Sequence, residues 1–264
     1  MILKTKISQT LFNNNSLNNY FLKYRDLSPS AVLLLIGQDN NSEPCFILNK
    51  RSQNIKQAGD LCCPGGGLMP VFDSFLARFI HLPGFPMRQW IFWNDCLKLY
   101  PDETRQLSLF LANGLREGFE EMRLNPFGVS FLGVLEPQPL IMFGRVIYPL
   151  VGWVESQKKF FPNWEVEKIV NIPLRSLLNP NYYACYCLEF GNDLQKKYKQ
   201  KSKNFTCFIH YDKNGKEILW GATYRIIAGF LELITGFKPP PIESLPIIHR
   251  LIENNYVIGK KTVC

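Results

Sequence analysis

The chain has 264 residues, of which 46% are apolar, 14% aromatic and 20% charged, with a formal net charge of +8. That composition provides for a buried core and excludes a disordered chain. No run approaches the roughly 18 consecutive apolar residues of a membrane-spanning helix, and the opening MILKTKISQTLFNNN lacks the apolar middle of a secretion signal. A single domain over residues 1–264 is expected, cytoplasmic and with no membrane partner.

Residues 1–27 are polar and Asn-rich and predict a helix or a loose arm. Residues 31–36 and 45–50 are short apolar runs on either side of turn-forming residues, which predicts a hairpin. Residues 61–63 predict a third short strand. It ends in Pro64, Gly65, Gly66 and Gly67, a turn where backbone must come close to something. Residues 74–104 carry Phe75, Phe79, Phe85, Trp90, Phe92 and Trp93 among the breakers Pro83, Gly84, Pro86 and Pro101, and predict two short helices. A long helix starts near Asp102. Leu107, Phe110, Leu111, Leu115, Phe119 and Met122 recur along it at helical spacing, and Pro126 ends it soon after Leu124. Strands are predicted at 128–135, 145–154 and 165–172, then a short helix at 174–178. Runs at 182–190 and 205–211 predict strands that pair across a basic loop, 196–203. Helices follow at 222–235, stopped by Gly236 and Pro239, and at 242–254. Short strands with helices between and after them argue an α+β fold.

The lysines of 196–203 read either as a solvated loop or as attraction for a polyanionic substrate. Nucleic acid is not an expected partner, since that would need exposed aromatics on the same surface. The eight cysteines contain no C-x-x-C pair, so they are expected as small core residues and no zinc site is expected. His81, His210 and His249 are scattered and read as structural.

The chemistry concentrates in the segment from Arg116 to Met122, R-E-G-F-E-E-M. On a helix, Glu117, Glu120 and Glu121 fall within an arc of about 100° and a rise of about 6 Å. Three carboxylates so close repel one another, and a divalent cation reverses that repulsion. Hard oxygen ligands suit Mg²⁺ or Mn²⁺. R-E-x-x-E-E is expected by chance about 0.003 times in a chain of this length, at ordinary residue frequencies. An acidic solvated helix face is therefore a poor explanation.

The segment resembles the Nudix box, written G-x5-E-x7-R-E-U-x-E-E-x-G-U, where U is bulky and apolar. Arg116 to Leu124 correspond to its second half. Pro64 to Gly67 and Asp73 are similar to its first half. The resemblance implies a Nudix-type mixed β-sheet sandwiched by helices, with Glu117, Glu120 and Glu121 binding the metal and Arg116 orienting one of them. Residues 74 to about 108 then look inserted where the box has x7, Gly118 replaces a bulky residue, and Arg123 replaces the glycine that ends the helix. Leu48 to Ser52, Cys63 to Gly66, Ile147 to Gly152, Asn163 to Val166 and Ile218 to Thr223 further resemble the coenzyme A diphosphatase branch.

The resemblance implies metal-dependent hydrolysis of a nucleoside diphosphate linkage, in coenzyme A or an acyl-CoA, giving adenosine 3′,5′-bisphosphate and a phosphopantetheine product. Arg51, Gly65 and Gly66 are the expected substrate-binding residues. Glu165 is a candidate for a distant base, and the partner is a small-molecule nucleotide. Other nucleoside diphosphates, or a non-catalytic nucleotide sensor, are the alternatives. The aromatic insertion is expected as a lid over the substrate, against a packing layer or a homodimer surface.

Overall fold

The computed structural model describes residues 2–14, 17–140, 144–213 and 215–259. The amino-terminal segment is not a loose arm. Helix α1 (Ile2–Asn14) buries Ile7 and Leu11, and the turns after it bury Leu17, Tyr20 and Phe21. The hairpin forms as expected, from β1 (Ser28–Gln38) and β2 (Pro44–Arg51), antiparallel with Leu35 opposite Ile47. Strands β3 (Leu61–Cys62) and β4 (Gly65–Gly67) follow. β4 pairs antiparallel with β1, Gly66 lying opposite Ala31.

Helix α2 (Pro70–Phe79) carries Asp73 in its first turn and runs into the insertion, α3 (Trp93–Leu99) lies within it, and α4 (Pro101–Met122) follows. Pro101 sits in the first turn of α4, where its missing N–H costs nothing. Strands β5 (Val129–Val134), β6 (Gln138–Leu140), β7 (Arg145–Val154) and β8 (Val166–Pro173) complete a mixed eight-stranded sheet. In it β1 and β7 run parallel, and β8 pairs antiparallel with β2.

Side chains alternate across β1. Leu33 and Leu35 join the core that includes Leu107, Leu111 and Leu115 of α4, while Leu34 and Ile36 join Ile7 and Leu11 on the opposite face. Phe230, from α6 (Gly221–Thr235), belongs to that second core. The sheet is thus sandwiched by helices, in an α+β arrangement.

A second sheet has the order β11–β10–β9–β12, from β9 (Tyr183–Phe190), β10 (Ser202–Asp212), β11 (Gly215–Leu219) and β12 (Ile247–Ile252). The basic segment expected as a loop begins in helix α5 (Asn192–Tyr198) and leads into β10. The helix expected at 242–254 is absent: after a short turn of 3-10 helix, β12 lies parallel to β9, followed by α7 (Asn254–Ile258). Ile247, Ile248, Leu251 and Ile252 mimic helical spacing, but Pro246 and the free edge of β9 favour a strand.

Two further placements differ from expectation. Phe119, taken as part of the buried stripe of α4, is 47% exposed under the Arg123 guanidinium. No residue of the aromatic insertion lines the cavity described below. Trp90 and Trp93 are buried in the core on the α4 side, and the Trp90 indole N–H donates to Ser8 Oγ and the Leu132 carbonyl. Trp90 and Trp93 thus serve as packing, while Phe75 and Phe79 on α2 stay exposed.

Candidate active site

Helix α4 carries the carboxylates, and its carboxyl end is tied down. Arg123 adopts a left-handed φ of 56°, with its N–H on the Phe119 carbonyl, while Leu124 N–H reaches the Gly118 carbonyl. The arginine therefore makes the helix-ending turn that a glycine usually makes. Gly118 leaves room for Leu124, whose side chain would lie 2.8 Å from a Cβ there. The last carbonyls, of Glu121 and Met122, accept from Asn163 and Phe161 N–H. These contacts bring the loop before β8, and with it Glu165, to the glutamates.

The guanidinium of Arg116, 7% exposed, contacts three carboxylates. Its Nε donates to Asp73 at 2.8 Å, one terminal nitrogen to Glu117 at 2.9 Å and the other to Glu120 at 3.1 Å. Asp73 is fully buried and also accepts from Met69 N–H and Asn113 Nδ2. Asn113 Nδ2 reaches the Gly67 carbonyl as well. The acidic residue before the insertion and the arginine after it thus close onto each other, and the intervening helices loop out.

Glu121 is held apart from this group. It is buried, accepts from Asn49 Nδ2 at 2.7 Å and meets the Gly65 backbone N–H. Burial, then the charges of Glu117 and Glu165, push its carboxyl up to about 8. Burial and the charges of Glu120 and Glu165 also raise Glu117, against the pull of Arg116. The ligand oxygens of Glu117, Glu120 and Glu121 are not gathered within 4.8 Å of one another. Arg116 neutralises two of them and Asn49 turns the third.

Gly65 and Gly66 touch both the glutamates and a cavity. A Cβ on Gly66 would lie 2.6 Å from Glu117 Oε1, and one on Gly65 would lie 2.2 Å from the Ala31 carbonyl oxygen at a φ of +150°. Gly65 is open only to glycine, whereas a side chain at Gly66 would displace the Glu117 carboxylate. On their other side is a cavity of about 610 Å³ between the main sheet, the second sheet and α6. Arg51, Gly65 and Gly66, the three expected substrate residues, all line it. Arg51 Nε is engaged by the Lys56 carbonyl. The cavity also contains Arg145, Lys203 and Arg225, with Phe205 and Trp220 as aromatic walls. These cations come from three separate elements, and no local spacing announces them. Lys203 belongs to the basic run for which a polyanion was one reading.

No protein-family profile matches the chain. Among solved structures, it is similar to a Nudix hydrolase from Alicyclobacillus acidocaldarius, with 13% identity over 82% of this chain and 99% of that one, at a TM-score of 0.43. It is also similar to a Nudix hydrolase from Nitrosomonas europaea, with 13% identity over 84% and 80% of the two chains, at 0.37. A Nudix hydrolase from M. smegmatis gives 12% identity over 56% and 72%, at 0.36. At these TM-scores the likenesses are loose, and the function of this chain has to come from its own residues. No helix among the described residues is long and apolar enough to cross a membrane.

Proposed function

We propose that the chain is a Nudix-type hydrolase that cleaves a nucleoside diphosphate linkage with the help of Mg²⁺ or Mn²⁺. The observation that carries this reading is the Arg116 guanidinium shared by Asp73, Glu117 and Glu120, set beside Glu121 across Gly65 and Gly66 from a cationic cavity. Glu117, Glu120 and Glu121 would hold the ion. The donor set fits a hard cation, being oxygen only, and the raised Glu121 carboxyl marks a place short of positive charge. The buried Asn49 Oδ1 next to Glu121 is a further acceptor with no donor. When bound, such an ion draws charge from phosphate oxygens and lowers the pKa of water.

The protein's own part is positional. Arg116 fixes the rotamers of Glu117 and Glu120, Asn49 fixes Glu121, and Gly65–Gly66 let the phosphates approach backbone. Arg51, Arg145, Lys203 and Arg225 bind the anionic substrate, and Phe205 and Trp220 offer faces to a base. The water oxygen bonds to one phosphorus, the bridging P–O bond breaks, and the proton goes to a carboxylate, for which Glu165 is the candidate. Within this class we favour coenzyme A or an acyl-CoA, on the branch-like segments around Arg51, Pro149, Glu165 and Trp220. The extra phosphate of such a substrate suits a cavity with several cations.

The test is product analysis by mass spectrometry on coenzyme A, ADP-ribose, a nucleotide sugar and a dinucleotide, with Mg²⁺, Mn²⁺ or EDTA. Metal-dependent cleavage that Glu121→Gln removes supports the class. Preferential turnover of ADP-ribose or a nucleotide sugar would reject the coenzyme A assignment alone. No metal-dependent cleavage of any of them rejects the class.

A further inference from the structure

Parallel pairing of β12 with β9 sets His249 directly opposite Cys187 and Leu251 opposite Glu189. Paired residues and those two positions on share a face of a sheet, so Cys187, Glu189 and His249 stand together. Among the described residues, theirs is the one group in which three histidine, cysteine or carboxylate ligand atoms lie within 4.8 Å of one another. His249 Nδ1 is 2.7 Å from Glu189 Oε1. Cys187 is half-buried, while His249 and Glu189 are exposed, leaving one side open to solvent. On β10, Asn204 lies opposite Cys187 and is exposed.

Against the expectation from cysteine spacing, we propose that Cys187, Glu189 and His249, brought together only by strand pairing, form a zinc-binding site, separate from the glutamates of α4. One thiolate, one imidazole and one carboxylate are the donors a borderline metal takes, and not those of Mg²⁺. Zn–S of about 2.3 Å and Zn–N and Zn–O of about 2.0–2.2 Å place tetrahedral ligand atoms roughly 3.3–3.7 Å apart. The His249–Glu189 contact opens slightly to admit the ion, and the thiol gives up its proton to solvent. Water or Asn204 completes the fourth position.

The site has a structural consequence. β12 is the edge strand of its sheet, and the opposite face of the same two strands borders the cavity. Arg250 there donates to Asp60 and the Tyr186 hydroxyl, and Ile252 and Tyr256 line the cavity. Zinc would staple this edge strand to β9.

The experiment uses the full chain, stripped with chelator and titrated with Zn²⁺ against a chromophoric competitor, and separately with Co²⁺. The expected result is a tight site whose affinity falls at least tenfold in His249→Ala and in Cys187→Ser. A thiolate-to-Co²⁺ absorption band should vanish in Cys187→Ser. Glu121→Gln should leave the thiolate-to-Co²⁺ band unchanged, which separates this site from the α4 glutamates. Zinc should also slow amide exchange in β12 of the wild type and not of His249→Ala. Equal zinc affinity in wild type and both variants, or no thiolate band with Co²⁺, would overturn the proposal. His249 is exposed, so His249→Ala tests it even if Cys187→Ser misfolds.

Discussion

Glu121 offers a test that needs no substrate. Its carboxyl rises from an ordinary 4.5 to about 8 in the folded chain. A group raised in this way stabilises the fold fully below pH 4.5, and that contribution is lost as pH rises through 8. The interval corresponds to about 5 kcal/mol if nothing relaxes. Water around the partly exposed Glu117 and Glu165 screens part of the repulsion, leaving about 2–3 kcal/mol. In a chain of this size that is roughly 5–10 °C in Tm. Glu121→Gln keeps an oxygen for Asn49 Nδ2 and Gly65 N–H but carries no charge. In EDTA, the wild type should lose Tm relative to the variant between pH 5.5 and 8.5, and the two should converge below pH 4.5. Thermal unfolding followed by circular dichroism at several pH values measures this. Parallel profiles, with no growing gap as pH rises, would refute the placement of a buried, repelled carboxyl at Glu121.

Trp90→Ala should destabilise by about 3–5 kcal/mol, as loss of a large buried side chain does, and leave KM unchanged in the enzyme that survives; a raised KM with unchanged Tm would restore the lid reading. Gly65→Ala should prevent β4 from pairing with β1 and sharply reduce folded yield, whereas Gly67→Ala, where a Cβ meets nothing within 4 Å, should behave as wild type. Lys203→Ala and Arg225→Ala should each raise KM about tenfold or more, the worth of a charge-assisted hydrogen bond, with kcat little changed. Unaltered KM in both would show that the cavity is not the substrate site.

What was legible in the sequence was local. The hairpin could be read from two apolar runs and a turn, the start of α4 from Pro101, and the carboxylates from a spacing confined to one and a half helical turns. What was not legible depended on partners far along the chain. β12 looks helical until β9, 60 residues earlier, supplies an edge. β4 is three glycines and has no side-chain pattern to read. Trp90 and Trp93 could be read as lid or as packing because nothing in the neighbourhood of Trp90 names Ser8 and Leu132 as its acceptors. Arg145, Lys203 and Arg225 converge only through the packing of two sheets, and Asn49 turns toward Glu121 only once β2 crosses the end of α4.

The amino-terminal helix has a kinetic consequence. α1 packs on β5 and α6, with Leu11 so close to Gly133 that a Cβ there would sit 2.9 Å from it. Its docking surface is therefore assembled from segments more than a hundred residues downstream. During synthesis Ile7 and Leu11 are made well before that surface and stay exposed until residues 221–235 have left the ribosome. Contacts of such long range slow folding, and α1 cannot bury Ile7 and Leu11 natively until β5 and α6 are in place.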